Sequence, residues 1–155
     1  MNELLITFMA SFLVWVIFAG LAILWLIDGK IKREQVFHAF FSALVAWAIA
    51  GMVKAVLPIP RPYVTFGVNP LTATEPFGPT FPSQHTVVSF AIAFTIWLHD
   101  KKMGVLFVVA AVGVGIGRIL SNAHFPLDVI GGVTIGISIA YIFDRFHITN
   151  RLMGK

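Results

Sequence analysis

Residues 4–27, LLITFMASFLVWVIFAGLAILWLI, form a run of 24 residues without a charge. At about 1.5 Å per residue, such a run is longer than the bilayer's hydrocarbon core of about 30 Å. Asn2 and Glu3 precede it where a signal peptide would be basic, and it is too long for a signal peptide's apolar core. The run is therefore expected to be an uncleaved anchor helix. Four further apolar segments follow at 35–57, 83–98, 103–120 and 127–143, the third of the five being short. No dyad alternation suggests a barrel, and an open sheet cannot satisfy its backbone in lipid. The expected fold is an all-α polytopic membrane bundle of about five transmembrane helices. It forms one domain over 1–155, with the anchor at 4–27 and the core at 35–143. With 58% hydrophobic and 12% charged residues and a mean hydropathy of +0.89, an ordinary soluble domain is excluded. The chain has no cysteine, which excludes disulfides and thiol chemistry.

Of eleven Lys and Arg residues, Lys30, Lys32, Arg33, Lys101, Lys102, Arg145, Arg151 and Lys155 lie in the polar stretches 28–34 and 99–102 or in the tail from residue 144. With five spans these stretches share one side, which the positive-inside rule makes cytoplasmic. The chain is expected to be multi-pass in the plasma (inner) membrane, N-terminus outside and C-terminus cytoplasmic. The net charge of +4 then reports topology and anionic headgroups, and implies no nucleic-acid partner.

Lys54, Arg61 and Arg118 stand apart from that group. Lys54 lies near the exit of the second span, Arg61 in the following loop, Ser83 and His85 at the start of the third span. Arg118 is near the exit of the fourth, and His124 and Asp128 lead into the fifth. All seven fall on the outer face. A charge at a helix centre costs about 2.5 to 3.5 kcal/mol on insertion scales, so charges gathered at span ends mean snorkelling or a shared polar site. Convergence from four spans favours the site. Three cations facing one point cradle a phosphate, the arginines by bidentate hydrogen bonds and the lysine as a point charge. Ser83 after Pro82 is placed as an N-cap, so its hydroxyl and the helix's free N–H groups suit the same anion. Two histidines allow one to attack phosphorus and the other to protonate the leaving oxygen. The proline-rich connection 58–82 is expected to be a loop with little regular structure, lying along the outer surface and shaping an entrance for a lipid.

Lys54-Ala-Val-Leu-Pro-Ile-Pro-Arg61-Pro62 resembles the first signature of the type 2 phosphatidic acid phosphatase superfamily, and Pro82-Ser83-Gln84-His85 resembles its second. Gly117-Arg118, with His124 and Asp128 at the spacing that follows, resembles its third. The resemblance covers about residues 35–143 and implies a metal-independent lipid phosphatase, without a cofactor, working through a phosphohistidine. It makes His124 the nucleophile, Asp128 the group that orients it and His85 the general acid, with Lys54, Arg61, Ser83, Gln84 and Arg118 binding the phosphoryl oxygens. Gln84 replaces the family's usual glycine, and Gly117 its serine. The family core typically has six spans, so one N-terminal helix fewer is expected here.

The expected partner is a membrane lipid phosphate within the bilayer, undecaprenyl pyrophosphate being favoured for an outward-facing site. Phosphatidic acid, phosphatidylglycerol phosphate, lipid A phosphates, phosphotransfer to another acceptor and a homo-oligomer stay open. A lipid-phosphate transporter or flippase is the alternative of a different class, opposed by the gathering of polar groups at one face. Gly113, Gly115 and Gly117 lack the strand and βαβ context of a dinucleotide site, and with Gly131, Gly132 and Gly136 are expected to let helices approach closely. His38, His99 and His147 match no motif, and Glu75 is expected to be a solvated loop charge.

Overall fold

The computed structural model describes residues 2–27 and 33–153, with side chains to residue 146. The loop basic residues Lys30 and Lys32, the side chains of His147 and Arg151, and Lys155 therefore lie outside the described residues. Helix α1 spans Glu3–Leu26 and contains a π-helical turn at Phe8–Phe12. Asn2 opens it, its Oδ1 accepting from the Leu4 N–H at 3.2 Å. Helix α2 spans Arg33–Val56, α3 Pro62–Phe66, α4 Gln84–His99, α5 Lys101–Leu120 and α6 Pro126–Met153. Asp100 separates α4 from α5, its Oδ1 accepting from Lys102 and Met103 at 2.8 and 3.0 Å, which satisfies the first turn of α5.

Helix α4 is the hub. Residues 86–93 of it are all buried, along with Thr95 and Ile96, and it packs on α2, α5 and α6. Around it the other long helices turn large apolar side chains outward, among them Trp15, Trp47, Leu106, Val109 and Ile130. Such an apolar perimeter fits a bilayer and not water. By length and composition α1, α2, α5 and residues 126–146 of α6 suffice to cross a membrane. Helix α4, the short third segment of the sequence, has 16 residues, or about 24 Å at the α-helical rise, and is sheathed by protein.

The glycines of the last two spans do admit close helix packing. A Cβ on Gly136 would lie 2.5 Å from the Val87 carbonyl oxygen of α4, and one on Gly117 would lie 2.6 and 2.7 Å from backbone atoms of Met9 and Ala10 in α1.

The connection 58–82 is more ordered than expected. Pro62, with its φ preset for a helix, starts α3, and Gly67 ends it in the left-handed region at φ 63°. Backbone N–H groups of Tyr63 and Leu71 donate to the Asn122 and Ser121 carbonyls, and Thr80 N–H to the Ile59 carbonyl. The Tyr63 hydroxyl donates to the Pro76 carbonyl at 2.6 Å. These bonds fold the connection onto the turn between α5 and α6, which a reading of proline and glycine content alone cannot reveal.

Gly136→Val is expected to destabilise the fold by about 1–3 kcal/mol or more, because the clash is with backbone that cannot rotate away. A thermal melt in detergent beside the wild type measures it.

Candidate active site

One cavity of about 670 Å³ opens at the end of the bundle where α2 and α5 finish and α4 and α6 begin. Lys54, Arg61, Gln84, His85, Arg118 and His124 all line it. They come from α2, the ordered connection, α4, α5 and the α5–α6 turn, so the convergence expected from span ends is the observed arrangement.

His124 is 3% exposed, held by its own N–H to the Arg118 carbonyl at 3.1 Å. Its Nδ1 faces Asp128 Oδ2 at 3.4 Å and Thr80 Oγ1 at 3.2 Å, while its Nε2 faces Arg61 Nη1 at 3.1 Å. A guanidinium only donates, and an ionised carboxylate only accepts, so both sets of contacts are satisfied when the proton sits on Nδ1. The Nε2 lone pair is then on the cavity side. Burial, and next the positive charges of Arg118, Arg61 and Lys54, push the His124 imidazole down to about 3, against the Asp128 hydrogen bond that raises it. The ring is therefore neutral near pH 7, the form in which a histidine attacks.

The three cations are held by main chain. Lys54 Nζ donates to the Pro79 and Thr80 carbonyls at 2.6 and 3.0 Å. Arg61, 7% exposed, donates from Nε to Gly78, from Nη2 to Phe77 and from Nη1 to Ala123 carbonyl oxygens at 2.9, 2.9 and 3.0 Å. Burial lowers its basicity, yet it stays a cation. Arg118 donates from Nη1 to the Ala10 carbonyl at 3.0 Å, while its buried Nε–H has no partner. A buried guanidinium donor without an acceptor is costly unless an anion supplies one.

Ser83 departs from expectation. It occupies the N-cap position of α4, but its hydroxyl makes no capping bond and instead accepts from Thr86 Oγ1 at 2.9 Å. Its N–H donates to the Asp128 carbonyl at 3.0 Å, tying α4 to α6 behind the cavity wall. Gln84 does reach the cavity, with its side-chain amide directed at the Trp47 carbonyl 3.5 Å away.

Two features escaped the sequence reading, the burial of Thr80 and the entry of the anchor helix into the site. Thr80 is fully buried against His124 and Asp128. Glu75 is solvent-exposed, as expected, and also lines the cavity. The anchor helix also enters the site, with Ser11, Phe12 and Trp15 in the wall and the Ser11 hydroxyl accepting from Ala73 N–H at 3.0 Å. Gly117, whose close packing was expected, is where α1 crosses α5 at contact distance, and the same crossing delivers the Ala10 carbonyl to Arg118. The advance signal for the anchor's approach was the glycine run of α5 at 113, 115 and 117, which leaves room for a close helix neighbour.

The model of the PAP2 superfamily matches residues 35–152. The chain belongs to that superfamily. Among its relatives, a Bacillus licheniformis protein named bacitracin transport permease protein BcrC is 35% identical over 88% of this chain and 68% of its own length. The Bacillus subtilis undecaprenyl-diphosphatase BcrC is 29% identical over 79% of this chain and 63% of its own. The crystal structure of Aquifex aeolicus LpxE superimposes with a TM-score of 0.78 at 27% identity, over 92% of this chain and 85% of that one.

Two outcomes test this geometry. An unfolded histidine takes a proton near pH 6.5 and the folded His124 only near 3, so the unligated protein should lose stability as pH falls below 6.5. Melting temperatures at pH 7 and 5 should therefore differ more for the wild type than for His124→Gln. Gly117→Ser should lower the melting temperature as well, since its Cβ has no room beside Met9 and Ala10.

Proposed function

We propose that this chain is an integral-membrane lipid phosphatase that removes a terminal phosphate from a polyprenyl pyrophosphate, undecaprenyl pyrophosphate in particular. The observation that carries the reading is the neutral His124, lining with Lys54, Arg61 and Arg118 a single cavity, its Nε2 beside the Arg61 guanidinium. A second cavity of about 300 Å³ supports a lipid substrate. Its wall is apolar, including Val14, Phe18, Phe40 and Leu44, and it shares Trp15, Trp47, Gln84 and His85 with the first. A phosphate bound among the cations would have its hydrocarbon chain directed into this groove between α1 and α2.

In the first half-reaction Nε2 of His124 attacks the terminal phosphorus. An N–P bond forms as the bond from phosphorus to the bridging oxygen breaks, and His85, neutral before substrate binds but protonated once the anionic pyrophosphate offsets the surrounding cations, passes its proton to that oxygen, releasing the lipid monophosphate. In the second, His85 takes a proton from water as its oxygen attacks phosphorus, and the N–P bond breaks to free inorganic phosphate. Lys54, Arg61 and Arg118 bear the charge on the phosphoryl oxygens throughout. Asp128 balances the positive charge that His124 acquires. Ser83 and Gln84 border the first turn of α4, whose free N–H groups add to the anion's environment.

The active site faces the extracytoplasmic side of the plasma membrane in this reading. Arg33, Lys101, Lys102 and Arg145 lie at the far ends of the helices that end or begin at the cavity, which supports that orientation under the positive-inside rule.

Purified protein in detergent should release phosphate fastest from undecaprenyl pyrophosphate among a panel that includes phosphatidic acid, phosphatidylglycerol phosphate and a lipid A phosphate. His124→Ala should release none while remaining folded, and full activity in it would sink the mechanism. Arg118→Ala and His85→Ala should each cost about 10²–10³ in rate, the range for losing one transition-state donor or acid. EDTA should change nothing.

A further inference from the structure

Resting on the phosphatase reading above, we infer that the Thr80 hydroxyl is a positioning relay between His124 and Asp128. In the resting site this hydroxyl is the nearer of the two partners that face the imidazole Nδ1. Thr80 Oγ1 donates to Asp128 Oδ2 at 2.5 Å and stands 3.2 Å from His124 Nδ1, nearer than Oδ2 itself at 3.4 Å. With its one hydrogen given to the carboxylate, Oγ1 turns a lone pair to the Nδ1–H. The imidazole proton is thus shared between the hydroxyl and the carboxylate, and one residue fixes both the tautomer and the ring plane.

The arrangement around Oδ2 supports this role. The same oxygen accepts from Phe125 N–H at 2.7 Å, so Thr80 and Phe125 hold the carboxylate in place independently of the histidine. Thr80 is fully buried, where water cannot replace a missing partner. Its backbone is engaged elsewhere, the N–H on the Ile59 carbonyl and the carbonyl on Lys54 Nζ. Removing the hydroxyl therefore leaves both the loop and Lys54 their bonds.

During the reaction no atom of Thr80 bonds to phosphorus and it loses no proton. Its task is to keep Nε2 aimed as the ring becomes positive on phosphorylation, with the hydroxyl and the carboxylate sharing the Nδ1–H. Losing a buried residue that orients a reacting group costs about 10–100-fold in comparable second-layer contacts. That loss should fall on kcat, since Lys54, Arg61 and Arg118 still bind the phosphate.

The test compares Thr80→Val, Thr80→Ser and Thr80→Ala with the wild type, reading kcat, KM and melting temperature on the best lipid phosphate of the panel. Thr80→Val and Thr80→Ala should lower kcat about 10–100-fold with KM within about threefold, whereas Thr80→Ser should keep kcat within about threefold of the wild type. Valine and alanine variants with wild-type kcat would overturn the inference, as would a serine variant as slow as valine at an unchanged melt. Should valine fail to fold, the alanine and serine pair decides by the same criterion. A wild type that cleaves no lipid phosphate would overturn the phosphatase reading and this inference with it, an outcome distinct from active enzyme indifferent to Thr80.

Discussion

Arg61 is a full cation at 7% exposure in a chain surrounded by hydrocarbon, and its guanidinium has to be matched donor by donor. It bonds to the carbonyls of Phe77 and Gly78 in the long connection, to that of Ala123 in the α5–α6 turn, and to Nε2 of His124. One side chain therefore ties the loop, the turn and the nucleophile into a single unit. Together with Lys54, which takes the Pro79 and Thr80 carbonyls, that need returns the connection to the cavity and carries Thr80 to the His124–Asp128 pair. The contact with Nε2 also means that an arriving phosphoryl oxygen takes over a donor already in place. Anion binding exchanges one hydrogen bond of Arg61 for a stronger, charge-assisted one.

The membrane bundle and the ring of charged groups were legible in the sequence because both are governed by cost. Uncharged runs near 20 residues have few alternatives to spanning a bilayer, and Lys54, Arg118 and Asp128 near span ends had to share surroundings to justify their presence. Thr80 was not legible, since a threonine in a proline-rich loop is unremarkable until the loop's path is known. Ser83 shows the opposite error. Its sequence position was read rightly as an N-cap, but Thr86 one turn on offers its hydroxyl a side-chain partner, which no local propensity rule includes.

Gly117 is where the first helix meets the site. Where the family pattern has serine, α1 approaches α5 so closely that a Cβ has no space, and the π-turn of α1 lies at this crossing. Turns of that kind recur at functional sites because they disturb the regular carbonyl pattern of a helix. Here the Ala10 carbonyl within the turn accepts from Arg118 Nη1. That bond leaves Nε as the donor still seeking an anion. The first helix thus does more than anchor the protein, and its crossing converts an apparent defect of the third signature into a way of aiming Arg118.

One relative carries the name of a transport permease, so the contrast between moving a lipid phosphate and cleaving it deserves a physical answer. A path across the bilayer needs polar or charged groups at successive depths, to replace the headgroup's water at each stage. Among the described residues, the buried charged or titratable side chains Arg61, Arg118, His124 and Asp128 all belong to one end of the bundle. Deeper in α2 and α4 the buried polar groups are the hydroxyls of Ser42, Ser89 and Thr95, of which Thr95 is already spent on the Ala91 carbonyl. A phosphate bound among Lys54, Arg61 and Arg118 would face helix α4's apolar core if it moved inward. Such an interior holds a charged headgroup at its mouth, beside a neutral imidazole aimed at it, and gives it no onward route; chemistry at that mouth is the outcome the arrangement favours.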